Sequence, residues 1–189
     1  MARSRTGTGA LAGPPALKER AGVVAALLDG RQTVLVRAPD LPPDGTDGPF
    51  ALYPSFSHQD PERYGQADER YYHRSTTKPA DGIPLREIAE VVAERSVPAG
   101  DLAALAPHYV YTPAGLREKY GLDDGDAARV LLVRVSALAD PRVIAERPAY
   151  RGCRTWIALA DEVTVDAGAA TPVLDDAAFA RRRAAIEAL

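Results

Sequence analysis

The stretch Ala128-Arg129-Val130-Leu131-Leu132-Val133-Arg134-Val135-Ser136-Ala137-Leu138 decides the fold class. Val130, Leu132, Arg134 and Ser136 alternate with Leu131, Val133 and Val135, the period of two that puts successive side chains on opposite faces of a β-strand. Apolar residues occupy both faces, so the strand reads as central and covered on two sides. Weaker strand signals lie around it at 33–36, 50–53, 88–94, 141–144 and 155–159, each short and rich in β-branched or aromatic residues.

Helical signals alternate with these. Residues 16–28 carry Leu17, Ala21, Val24, Ala25 and Leu28 at spacings of three and four, with Pro14-Pro15 before them and Gly30 after, which predicts a helix. A second reading of the same stretch is a hairpin turning at Asp29-Gly30, with residues 23–28 as its first strand. Short helices are predicted in DLAALAPHYV and in TPAGLREKYG, the second with Thr112 as cap and Pro113 at the first helical position. A capped C-terminal helix is predicted at about 175–188, with Phe179, Ile186 and Leu189 roughly aligned. Residues 40–48 read as a surface loop, and residues 57–82 as a long loop or insertion. The expected organisation is a disordered N-terminal tail over 1–15 and a single α+β domain over 16–189.

The totals narrow the class. With 46% hydrophobic and 26% charged residues in 189, the chain falls among ordinary globular domains, which excludes collagen-like, coiled-coil and fully disordered chains. No apolar run approaches the length of a membrane span, and the first residues lack the core of a secretory signal, so a cytoplasmic protein is expected. Cys153 is the only cysteine, which excludes an intrachain disulfide and a multi-cysteine zinc site. A formal charge of −3 shows no broad grip on nucleic acid, though it leaves room for a local basic cleft.

The densest run of functional residue types is Tyr53-Pro54-Ser55-Phe56-Ser57-His58-Gln59. Aromatic faces, hydroxyls, an imidazole and an amide leave a strand end together, a combination suited to a flat polar ligand. Arg37 closes the neighbouring strand and would meet the same rim if the two strands pair; its guanidinium fork matches phosphate or carboxylate. Trp156, after Tyr150-Arg151-Gly152-Cys153-Arg154-Thr155, is an aromatic that can stack on a base or fill the core. Signatures of catalysis are mostly negative, which leaves an enzyme unsupported without excluding one. The histidines show no paired metal-ligand spacing, there is no phosphate-cradling glycine loop, and neither a metal nor a cofactor is expected.

The stretches ALKERAGVVAALLDGRQTVLVR, LYPSFSHQ, VLLVRVSALADP and YRGCRTW, taken in order, resemble a bacterial family, domain-of-unknown-function family 1802. The resemblance spans about 16–159. It departs where Arg20 replaces a usual Trp and where Arg37-Ala38-Pro39-Asp40-Leu41 replaces an Arg-Lys-Gly-Gly-Ile run; Ser55 and Phe56 are mild changes, and His58 and Gln59 match. Members joined to restriction-type endonucleases imply a role beside nucleic-acid restriction or modification, with a separate nuclease as partner. A remoter resemblance is to the ASCH branch of the PUA-like superfamily, small barrels that read RNA or modified bases. Its Gly-x-Lys-x-x-Glu-x-Arg pattern meets Gly30 and Arg37 here, but Gln32 and Leu35 replace the Lys and Glu, so their ligand chemistry does not carry over.

The resulting expectation is a small mixed or antiparallel barrel-like sheet with flanking helices. It would serve as a binding module for a nucleotide, a modified base or single-stranded nucleic acid, with Arg37 on phosphate, Tyr53, Phe56 and Trp156 stacking, and Ser55, His58 and Gln59 on the base edge. Two alternatives stay open. One is a metal-dependent hydrolase or nuclease using His58 with Glu87 or Glu90; the other is an interaction domain whose 57–82 segment docks a protein.

Overall fold

A computed structural model describes residues 10–38 and 48–189. In chain order the elements are β1 (Ala10–Ala12), β2 (Pro15–Arg20), α1 (Ala21–Leu28), β3 (Val34–Arg37), β4 (Phe50–Ser55), α2 (Glu69–His73), β5 (Ile83–Pro98), α3 (Pro113–Tyr120), β6 (Ala127–Ile144), β7 (Trp156–Ala158), β8 (Thr164–Asp166), β9 (Thr171–Pro172) and α4 (Asp176–Glu187). The class is α+β. One seven-stranded sheet runs β3-β6-β5-β4-β2-β7, with β9 joining β6, and β1 and β8 form a separate antiparallel pair. The sheet is mostly antiparallel, β2 and β4 being parallel neighbours. It does not close: β3 and β7 end its strand order, so the expected barrel is an open, mixed sheet.

The alternating stretch is central, as its pattern requires. It lies within β6, paired to β3 on one side and to β5 on the other, with Val130, Leu131, Leu132 and Val133 all buried. The separate strand expected at 141–144 is the continuation of β6, and the expected strand at 88–94 is the middle of a 16-residue β5. α3 begins where its signals put it, with Thr112 Oγ1 accepting from Gly115 N at 3.0 Å and Pro113 at the first position. α4 is capped by Asp175, whose side chain accepts from Ala178 N at 2.7 Å, and it buries Phe179 and Ile186. The residues around DLAALAPHYV coil as a 3-10 helix, Ala99–His108, whose spacing of three aligns Leu102 and Leu105 toward the core.

The expected helix over 16–28 is half right. Ala21–Leu28 is helical, but Pro15–Arg20 is a strand inserted between β4 and β7, with Leu17 opposite Leu52 and Trp156. Leu17 fits either period, and pairing with strands distant in sequence decides it. The hairpin reading is excluded: the chain leaves α1 through Asp29 and turns at Gly30, which has φ +67°. Of the tail expected over 1–15, residues 1–9 lie outside the described residues, and Ala10–Ala12 is a strand on β8. The surface loop read at 40–48 lies outside them as well, except for Gly48.

Residues 57–82 are not a detached loop. Tyr64 and Tyr71 are buried in the main core, and Arg31 holds Asp68 through two hydrogen bonds of 2.9 and 2.6 Å. α1 runs beneath this segment in close contact. A Cβ at Gly22 would lie 2.2 Å from Tyr64 Oη and 3.0 Å from the Tyr71 carbonyl oxygen. Gly22→Ala is therefore expected to lower stability by about 2 kcal/mol through overpacking, measured by urea unfolding at an unchanged m value.

β4 and β5 pair only at Phe50↔Ala89 and Ala51↔Ile88, and then separate. Pro54 and Pro84, each without an N–H, sit in the separating segments, and β5 shifts register between Leu85 and Glu87. This split in the sheet positions the cavities described next.

Candidate functional site

A cleft of about 510 Å³ opens where the C-terminal ends of the parallel strands β2 and β4 meet the end of β3, the end of α3 and the 146–155 segment. Its volume falls in the range of small-ligand sites. β2 contributes Lys18, Glu19 and Arg20; β3 contributes Arg37; β4 and the chain beyond it contribute Tyr53 to His58; α3 contributes Lys119 and Tyr120.

Glu19 organises the floor. It is 5% exposed, its Oε2 accepts from Arg37 Nη1 at 2.6 Å, and its Oε1 accepts from Lys119 Nζ at 2.8 Å and Arg20 N at 2.7 Å. Burial pushes its carboxyl up, but the charges of Lys119 and Arg37 outweigh burial and hold it down at about 2. Two cations share this one carboxylate, so the floor keeps a net positive charge. Lys119 is also held between rings, 5.0 Å from the Tyr111 centroid and 4.9 Å from that of Tyr120. Arg37 Nη1 donates a second bond to the Val36 carbonyl at 2.7 Å, while its Nη2 has no partner among the described residues.

The walls add charge. Lys18 Nζ donates to the carbonyls of Tyr150 and Gly152 at 2.7 and 2.9 Å, and burial lowers its pKa. Glu146 is shared by Lys78 at 3.2 Å and Arg151 at 3.6 Å. Arg20 and Arg154 form no ion pair among the described residues. Seven Lys or Arg side chains therefore face two Glu, a formal excess of five positive charges in a chain of net charge −3. Aromatic surface comes from the half-buried Phe56 and Tyr120; Tyr53 and Tyr150 border the cleft but are buried, edge-to-face at 5.9 Å. Burial raises Tyr53 to about 12, so its phenol stays protonated.

The residues expected at the site divide. Arg37, Tyr53, Ser55, Phe56 and His58 line the cleft together. His58 is exposed at the rim, at φ +54°, the one described non-glycine residue with positive φ. Gln59 turns away from the cleft. Its Oε1 accepts from Gly22 N at 3.1 Å, Ser75 Oγ at 3.0 Å and Tyr64 Oη at 3.3 Å, and its Nε2 donates to the Ser75 carbonyl. It caps α1 from a distance, because that helix has no capping side chain of its own. Trp156 also stands outside the cleft lining, half-buried and edge-to-face on Phe50 at 4.9 Å. Gln32 and Leu35 are buried, Gln32 bonding to Val34 O and Val110 N.

Glu87 and His58 line different cavities. Among the described residues no group of three or more His, Cys, Asp or Glu side chains could hold a metal. The residues that sequence reading did not single out are the lysines. Lys18, Lys78 and Lys119 are the only three in a chain whose other basic residues are arginines, and all three line this cleft. Their rarity was the available signal.

No described helix is long and apolar enough to cross a membrane. The fold is similar to that of the crystallised ASCH protein of Zymomonas mobilis. The TM-score is 0.50 at 14% sequence identity, covering 79% of this chain and 90% of that one. A serine-to-alanine variant of the same protein matches with a TM-score of 0.50 at 14% identity over 80% and 93%. No curated protein sequence matches the chain. The profile of a domain of unknown function, DUF1802, matches residues 16–185, nearly the whole described fold, and the chain belongs to that family.

Proposed function

We propose that the cleft binds single-stranded nucleic acid or a nucleotide through its phosphates, with bases resting on the rim aromatics. The observation that carries this is the charge: an acidic chain concentrates five uncompensated positive charges, and every lysine it has, in one cavity. Counterion release makes such a cluster bind phosphate in a strongly salt-dependent way. The half-buried rings of Phe56 and Tyr120 favour a single strand over a duplex, because stacked bases inside a duplex offer no free faces. Ser55, Ser57 and His58 supply hydrogen-bonding groups for a base edge, the part that would tell one base, or a modified base, from another. In this reading the protein is a recognition module, and chemistry on the strand falls to a separate restriction-type nuclease.

The left-handed backbone of His58 supports a role for its side chain, since such conformations are unfavourable for non-glycine residues and concentrate at functional sites. His58→Gly is expected to leave stability within about 1 kcal/mol of wild type or above it, since glycine relieves the backbone. Yet it should weaken binding of a labelled oligonucleotide of about ten residues by roughly tenfold, read by fluorescence anisotropy. Single strands should bind at least tenfold tighter than a duplex of the same sequence. Equal anisotropy curves for single strand and duplex, or for wild type and His58→Gly, would overturn the respective claim. Gln59→Ala serves as contrast: it is expected to lower the melting temperature, because it uncaps α1.

A further inference from the structure

Pro54 and Phe56 border a second cavity as well as the cleft, a pocket of about 90 Å³ in the split between β4 and β5. Val24, Ala25 and Leu28 of α1 form its opposite wall. Glu87 also lines it. This carboxyl is 1% exposed, and its Oε2 has no hydrogen-bond partner among the described residues. Buried polar groups are nearly always paired, so a buried carboxyl with an unpaired oxygen facing a cavity marks a position that a partner can complete. Burial raises Glu87 to about 8, against a smaller opposing pull from Arg86, so at neutral pH it is a carboxylic acid with a hydroxyl donor beside a carbonyl acceptor.

We propose that this pocket is a binding site for a neutral amide edge, an N–H and a C=O side by side, as in a primary carboxamide or the lactam edge of a pyrimidine. The chemistry narrows the occupant in three steps. Arg74 and Arg86 stand at the pocket with Asp29, which is paired to Arg74 at 2.8 Å, so a cation gains nothing there. An anion would lose its hydration inside the cavity, with only the exposed Arg86 to offset that loss. The volume corresponds to about three water molecules, so a few heavy atoms enter and a whole ligand does not. A carboxylic acid pairs with a cis amide edge through two reciprocal hydrogen bonds. The trans peptide group presents its N–H and C=O on opposite sides and is excluded. The site does not depend on phosphate binding in the cleft and stands if that reading fails.

The test is a titration of the full chain, followed by amide chemical shifts, with three probes up to about 50 mM, the weak-binding range: uracil, acetamide, and 1,3-dimethyluracil, which keeps the ring but lacks the N–H. Uracil or acetamide should shift the amides of Val24, Ala25, Ser75 and Glu87, and dimethyluracil should not. Binding by uracil alone identifies the nucleobase as the source of the edge, whereas acetamide binding identifies a small carboxamide. Glu87→Leu should abolish the shifts, while Glu87→Gln, which keeps a donor beside an acceptor, should retain them within about fivefold in affinity. Shifts from dimethyluracil equal to those from uracil, no shift from any probe, or undiminished binding in a folded Glu87→Leu protein would each overturn the proposal.

Discussion

Glu19→Gln is expected to lower the thermal midpoint by about 10 °C, corresponding to roughly 3–5 kcal/mol for a chain of this size. The reason lies in what the substitution leaves behind. Arg37 is 5% exposed, and Lys119 is enclosed by Tyr111 and Tyr120, so neither cation can turn to water when its carboxylate goes. Replacing Glu19, Arg37 and Lys119 together by methionine should recover most of the loss, because no buried charge is then left unpaired. The pH dependence follows from the depressed acidity. Glu19 ionises near 2 in the folded chain against an ordinary value of 4.5. Its contribution is therefore complete above about 4.5 and is lost as pH falls through 2. The stability gap between wild type and Glu19→Gln, measured by urea unfolding across that window, should shrink steadily toward acid. A gap that is constant from pH 5 to pH 2 would show that the carboxylate does not hold the two cations.

The second large effect concerns binding. Lys18→Gln, Arg20→Gln and Arg154→Gln combined remove three cations that form no ion pair with a carboxylate among the described residues. The amide introduced in place of the Lys18 ammonium keeps a donor for the carbonyls of Tyr150 and Gly152. Each phosphate contact with a single strand contributes about 0.7 to the salt slope, so the triple variant should flatten the log–log plot by about 2. At about 0.05 M salt the same arithmetic weakens binding by roughly 500-fold. A control with an equal change of net charge, Arg95→Gln, Arg142→Gln and Arg183→Gln, lies outside the cleft lining and should leave the slope within about 0.5 of wild type. If both triples flatten the plot equally, overall charge governs binding and the cleft does not.

Much of the secondary structure was legible because its causes are local. β6 announces itself through alternation, α3 through Thr112 and Pro113, and α4 through Asp175. The candidate site was legible in part. Tyr53, Ser55, Phe56 and His58 follow one another from a strand end, so the sequence already groups them, and Arg37 joins them across the cleft. Gln59 is the instructive departure. One residue after His58, it lies beyond the left-handed turn and spends its amide on Gly22, Ser75 and Tyr64. Trp156 departs because its neighbour across the sheet is Phe50, a contact no local pattern encodes.

By itself, then, the chain determined its α+β character, its central strand, its helix caps and the cluster of functional residue types after β4, since each follows from a short-range pattern of burial, turn chemistry or capping. Tertiary structure alone decided that Pro15–Arg20 is a strand, that the sheet stays open, and that three scattered lysines face one cleft. The physical reason is range. Glu19 meets Arg37 and Lys119 from 18 and 100 residues away, and a charge finds such partners only after the sheet has been assembled.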